Sequence, residues 1–455
     1  MDKLEISSEK ELKEWLSSKE KPKIDWRIGT EHEKFIFSLD SHKPIPYFGD
    51  QGIKKLLINL KKQTSWVPIE ENKNIIGLKA KDGSSISLEP GGQLELSGAP
   101  LKNLHMTCDE TGKHLNEMKK ALKPLGLGMA GFGFHPSAEI DECYFMPKGR
   151  YKIMREWMPK VGSMGVDMML RTCTIQVNLD YSDETDMVRK FKNSLKIQPI
   201  ITALFANSPF RNGSLSGFVS MRTEVWRNTD KVRCGIPECV FEEDFGYSSW
   251  INYLLDIPMY FLYRNGEYFD VAGQSFRSFL KGNLKGFEGQ RPTIKDFEDH
   301  LTIAFPDVRL KGYLEMRGAD GGPWNRICAL PAIWVGLLYD SASMDAIEKL
   351  TKEFTIEDVI NATFSAARFG LSGYFKNYKI KDLASEILNI SFNGLKNRNQ
   401  LDSSGEDETG FLSPLFKMTE TGNTLADDMI KKYHSSWGKS VNPSFEEQSI
   451  YNTSV

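Results

Sequence analysis

Three things are scarce in this chain, and each scarcity closes off a class of function. Basic excess is missing: 58 Lys and Arg stand against 61 Asp and Glu, a net charge of −3. No global positive field recommends nucleic acid as a partner. Long apolar runs are missing too. The longest uncharged one, Ile327–Tyr339, is interrupted by Pro331 and falls short of the roughly 18–20 residues that cross a bilayer, so no membrane partner is expected. Cysteine is sparse: Cys108, Cys143, Cys173, Cys234, Cys239 and Cys328 are scattered through 455 residues, none in C-x-x-C spacing. They read as reduced, mostly structural thiols, with Cys234 and Cys239 the one pair close enough in sequence to suggest a bridge. The opening MDKLEISSEKELKEWL is acidic, with neither a secretory apolar segment nor an Arg-rich transit character. A cytoplasmic location is therefore expected.

What the chain does have is alternation. In Ser84–Gly98, Ile86 and Leu88 alternate with polar residues up to a Pro90-Gly91-Gly92 break, and Leu94 and Leu96 alternate after it. Strand side chains have a period of two, so this stretch reads as a hairpin with an apolar face and a face carrying Glu89, Gln93 and Glu95. One such strand is ordinarily just half solvated. Three further stretches repeat the pattern. Glu31 and Glu33 share a face in Arg27–Phe37. Gln176 and Asn178 share one in Arg171–Asp180. Glu315 and Arg317 share one in Tyr313–Arg317. If these strands join one sheet, one face packs on helices and the other is a field of carboxylates and amides, in which clustered carboxylates repel one another until they bind protons or cations. Oxygen donors without thiolates or paired histidines suit Mg²⁺ or Mn²⁺. Parity sends His32, between the two glutamates, to the opposite face.

Helical spacing of apolar residues predicts helices over 8–18, 50–62, 104–122, 184–207 (bent at Pro199) and 291–305. Gly126-x-Gly128-x-x-Gly131 has dinucleotide-binding spacing, but a helix precedes it where a strand is required. That segment and Gly318–Gly322 are instead read as places where backbone approaches a ligand. The aromatic stretch 247–268 is core or cavity wall. Residues 397–414 form a polar loop, and the final dozen residues are expected to fray. The order of elements implies an α+β protein with a mainly antiparallel sheet. It is read as a single catalytic domain over 1–455: an N-terminal helix in 1–23, a sheet region in 24–322 and a mostly helical region in 323–455.

GTEHEKF, PGGQLELSGAP, MLRTCTIQVNLDYS, FANSPF, SMRTEVWRNTD and YLEMRGADGGPW occur in this order. Together they resemble the plant and proteobacterial type of glutamate–cysteine ligase, from about Ile24 to Tyr339. The resemblance implies a curved, mainly antiparallel glutamine-synthetase-like sheet with helices on its outer face. It also implies joining of L-glutamate to L-cysteine at the expense of ATP, with Mg²⁺ (or Mn²⁺), in a monomer or homodimer. Glu31, Glu33, Glu89, Glu95, Gln176 and Glu315 would then hold metal, Arg317 would touch phosphate, and Arg150, Arg222 and Trp226 would hold glutamate. Two other readings keep much of the pattern: a glutamate ligase with a different amine acceptor, and a carboxylate-cleft glycoside hydrolase that needs no nucleotide. A catalytically dead binding protein fits the full set of carboxylates and arginines poorly.

Overall fold

The computed structural model describes residues 5–449. Nine strands form the main sheet: β1 (Ile28–Ser38), β2 (Val67–Glu71), β3 (Asn74–Lys79), β4 (Ser85–Leu88), β5 (Leu94–Ser97), β6 (Leu127–Ala130), β7 (Thr174–Leu179), β8 (Val308–Leu310) and β9 (Leu314–Asp320). Their order is β8-β9-β7-β1-β5-β4-β3-β2, with β6 beside the second half of β1. Every pairing is antiparallel. Five helices matter for the site: α1 (Ile53–Gln63), α2 (Leu104–Leu122), α3 (Glu184–Leu204), α4 (Met221–Arg227) and α5 (Trp324–Leu338).

The two-residue alternation decides which face of the sheet is covered. Ile175, Val177 and Leu179 of β7 and Leu314 and Met316 of β9 are buried in one cluster with residues of α3 and α5. Ile86, Leu88, Leu94 and Leu96 are buried in a second cluster with Leu56 and Leu57 of α1 and Met118 of α2. Each leucine so removed from water contributes about 1.5–3 kcal/mol. His32 lies on this helix-facing side, its ring centroid 5.6 Å from that of His114 on α2. Lys34 is fully buried beside it. Its Nζ donates to the carbonyls of His32 (3.1 Å) and Leu94 (3.3 Å), and burial lowers its pKa to about 7.

Several expectations are corrected here. The first concerns cysteine. Cys108 on α2 and Cys328 on α5 form a disulfide across 220 residues, whereas Cys234 and Cys239 are free. The bridge joins two helices that meet only once the chain has folded, so spacing along the sequence carried no trace of it. Closing so long a loop restricts the unfolded chain, and native bridges contribute about 2–4 kcal/mol. Reduction by dithiothreitol, or Cys108→Ser, is expected to lower the unfolding free energy by about that amount in a denaturant titration; an unchanged midpoint would count against it.

The second concerns glycine. A Cβ at Gly131 would strike the carbonyl of Gly322, one at Gly133 the Asp320 carboxylate, and one at Gly321 the carbonyl of Phe132. At Gly131, Gly133 and Gly321 the two glycine-rich segments are close-packed on each other, so these glycines serve packing. The third concerns the chain's end. Phe445 is buried, stacks on His42 with centroids 4.7 Å apart, and Ser449 bridges Ala130. Residues 444–449 are therefore held, and the remainder of the expected frayed tail lies outside the described residues. α3 runs unbroken through Pro199 to Leu204, and the helix expected over 291–305 is confined to Ile294–Leu301.

Candidate active site

Strand register gathers the polar residues. Glu33 on β1 lies opposite Glu95 on β5, which in turn lies opposite Ser87 on β4. Glu31 lies opposite Gln176 on β7, and Asn178 lies opposite Glu315 on β9. Directly paired residues project to the same face with Cβ atoms roughly 4.5–5.5 Å apart. Glu31 therefore accepts a hydrogen bond from Asn178 Nδ2 (2.7 Å), Glu33 from the Thr174 N–H (3.0 Å) and Glu95 from Ser97 Oγ (2.7 Å).

These carboxylates are short of positive charge. Burial, then the charges of Glu95 and Glu315, raise the Glu31 carboxyl to about 7. Burial and the charges of Glu89 and Glu95 push Glu33 well above the ordinary carboxylate range. Glu95 is raised by burial and by Glu89. Among the described residues no three His, Cys, Asp or Glu side chains converge tightly enough to form a finished metal cage. The face is a set of hard oxygen donors with charge to spare, each held by a single hydrogen bond to its neighbours. A divalent cation would relieve that repulsion, so the residues fit one.

Glu315 is different. Arg309 Nε (2.7 Å) and Arg317 Nη1 (2.9 Å) donate to one of its oxygens, and Lys311 Nζ (3.2 Å) to the other. Burial opposes its ionisation, but the three cations override this and hold its carboxyl far below the usual range. Arg317 Nη1 also donates to Gln176 Oε1 (2.7 Å). Both Glu315 and Gln176, expected as metal donors, are thus occupied by cationic side chains. Arg309 and Lys311 were missed in the sequence. The available signal was the register of a β8–β9 hairpin, in which Arg309 lies opposite Glu315.

A cavity of about 110 Å³ opens beside the carboxylates, lined by Glu33, Glu89, Arg150, Tyr151, Trp226 and Arg317, with Phe261 and Phe305 among its apolar walls. Arg150 and Trp226, expected at the glutamate site, both line it. Arg222 does not line this cavity. It is buried behind it, with Nη2 donating to the Arg317 carbonyl (2.8 Å) and Nε without a partner. A second cavity of about 390 Å³ lies at the turn between β8 and β9. It is lined by Trp15, Lys19, Lys21, Lys295, Lys311 and Tyr313. Lys311 connects it to the carboxylate face through Glu315.

Comparison with known proteins points to one family. Residues 27–448 match the sequence model of "Glutamate-cysteine ligase family 2". The chain is 49% identical over 440 residues to glutamate–cysteine ligase B of Oryza sativa subsp. japonica, covering 97% of this chain and 87% of that protein. It is 48% identical over 440 residues to the Nicotiana tabacum enzyme, covering 97% and 82%. Among solved structures, the glutamate–cysteine ligase of Francisella tularensis in complex with AMP superimposes with a TM-score of 0.57 at 13% identity, covering 93% of this chain and 87% of that one. That likeness speaks for the shared glutamine-synthetase-like fold. The relatives also overturn the cytoplasmic expectation, since those from rice, tobacco and Medicago truncatula are chloroplastic enzymes. The composition of a folded body is compatible with either compartment and cannot report an address. With the family match spanning the main sheet, the smaller cavity and the helical region alike, the chain belongs to the glutamate–cysteine ligase family.

Proposed function

We propose that the protein joins the γ-carboxylate of L-glutamate to the amine of L-cysteine at the expense of ATP, with Glu31, Glu33, Glu89 and Glu95 holding Mg²⁺ on the polar face of the sheet. The observation that carries this reading is the register-aligned row of charge-starved carboxylates bordering a cavity that also presents Arg150 and Arg317. The metal would offset the negative charge of the nucleotide phosphates as they approach the glutamate carboxylate.

The chain's own residues do the rest. Arg150 offers glutamate a planar fork for a carboxylate, which a lysine would not copy, and Trp226 walls the same cavity. Arg317 lines the smaller cavity, tied to Glu315 and Gln176, and would meet the transferred phosphate. The larger cavity, with four lysines, Trp15 and Tyr313, suits a polyphosphate with an aromatic base. Its Lys311 edge meets the carboxylate face, so a terminal phosphate entering there would meet the glutamate side chain. Once that phosphate moves to the γ-carboxylate, the activated carbonyl must meet the cysteine amine before water, and the narrow apolar wall of Phe261 and Phe305 limits water access.

Supplying ATP, Mg²⁺, L-glutamate and L-cysteine is expected to yield γ-glutamylcysteine, ADP and phosphate by mass spectrometry. Coupling of another amine with no product from cysteine would move the reading to a different acceptor. Turnover independent of nucleotide would remove the ligase reading altogether.

A further inference from the structure

Asp320 closes the β9 strand opposite Thr174 of β7, and it is 2% exposed. Three donors are aimed at it. The Asn207 N–H (2.8 Å) and Ser208 Oγ (2.6 Å) bond one oxygen, and Ser220 Oγ (2.7 Å) bonds the other. Each of the two serines has a second task on α4. Ser220 is the residue before its first turn and accepts from the Thr223 N–H (3.3 Å). Ser208 Oγ accepts from the Arg222 N–H (3.2 Å). The orphan N–H groups at the start of α4 are therefore satisfied by hydroxyls whose own protons go to Asp320.

The same strand holds the other end of Arg222. A register shift between Met316 and Ala319 interrupts the β9–β7 ladder, and there the Arg317 carbonyl accepts from Arg222 Nη2 (2.8 Å). β9 thus grips α4 at its N-terminus through Asp320 and at its Arg222 guanidinium through Arg317. Burial and then the Asp320 charge are the two largest influences on the Arg222 guanidinium. Space for the acid is provided by the missing side chain of Gly133. Trp226, a wall of the smaller cavity, is carried on the same short helix.

Resting on the ligase reading, we infer that Asp320 is a positioning residue for glutamate: through Ser208 and Ser220 it sets how α4 seats Arg222 behind the cavity and presents Trp226 to it, and so governs glutamate recognition without touching substrate or metal. A carboxylate is needed because all three neighbours donate; an amide would turn a donor toward Ser220.

The test is steady-state kinetics of purified full-length Asp320→Asn, Ser220→Ala and the double variant. Since small misplacements of binding groups are costly, Asp320→Asn is expected to raise the KM for glutamate about tenfold, with kcat and the KM for ATP within about twofold of the parent. Ser220→Ala should move glutamate KM in the same direction by a smaller factor. The double variant should be no worse than Asp320→Asn, because both changes break one chain of contacts. An unchanged glutamate KM in folded variants, equal changes in the ATP and glutamate constants, or additive effects would each overturn the inference while leaving the ligase reading intact. If Asp320→Asn does not fold, a parental glutamate KM in Ser220→Ala overturns it alone. A parent enzyme that makes no γ-glutamylcysteine removes the ligase reading, and this inference with it.

Discussion

Glu33→Gln should cost turnover on the order of 100-fold or more while making the unliganded protein slightly more stable at pH 8. The two effects share one cause. Glu33 is pushed well above the ordinary carboxylate range by burial and by Glu89 and Glu95. Its folded-state pKa therefore exceeds its unfolded one. The stability associated with its proton is present below the unfolded value near 4.3 and is lost as pH rises through the folded value. Glutamine carries no such loss, so the variant should melt above the parent at pH 8, with the difference shrinking toward pH 5. The same amide offers a metal one neutral oxygen in place of a charged carboxylate, so activity should fall and its Mg²⁺ requirement rise. Glu95→Gln, directly opposite in register, should behave alike. Thermal melts at the two pH values, together with rates over a Mg²⁺ series, read both effects. Near-parental turnover in both variants would sink the metal role of this face.

Much of that face was legible because strand parity is a strict code. Once Ile86, Leu88, Leu94 and Leu96 are assigned to one side, Glu89 and Glu95 have little choice, and His32 is sent to the helices where it meets His114. Parity gives sides and says nothing of neighbours. It could not reveal that Glu31 and Glu33 remain short of countercharge while Glu315, on the same side, is saturated by three cations. That distinction depends on β8, a three-residue strand too short to show any alternation of its own.

Contacts between distant segments were illegible for the same kind of reason. Cys108 and Cys328 meet through helix packing that leaves no local mark. Gly131, Gly133, Gly321 and Gly322 looked like flexible approaches to a ligand because a glycine needed for close packing and one needed for a turn read identically in sequence. Asp320 lay inside a quoted motif, yet its role appears only when Ser208 and Ser220, 112 and 100 residues earlier, are brought beside it. Arg222 was placed in the glutamate pocket by likeness of motif. Its observed position behind the cavity wall, anchored to the Arg317 carbonyl, is a packing outcome that no motif carries.

The contrast between the two kinds of carboxylate leads to an opposite expectation for Glu315→Gln. Here the acid is the shared anion for Arg309, Lys311 and Arg317, and its side chain is fully buried. Removing its charge leaves those three cations facing one another. Breaking a buried pair from one side typically costs about 3–5 kcal/mol, because the partner's desolvation is no longer offset. Glu315→Gln should therefore unfold at markedly lower denaturant, where Glu33→Gln does not. The pH dependence also inverts. With its folded pKa held far below the unfolded value, Glu315 contributes stability that is present above the unfolded carboxylate pKa near 4.3 and fades as pH falls through the folded one. Parent and variant should thus converge only in strong acid. Activity should fall as well, since Arg317 loses the partner that fixes its guanidinium beside Gln176, and phosphate transfer depends on that orientation. Urea titrations of both variants at pH 8 and pH 5 decide the matter. If Glu315→Gln proves as stable as the parent at pH 8, the charged knot is not what holds β8 to β9, and Glu315 returns to the set of free carboxylates available to a metal.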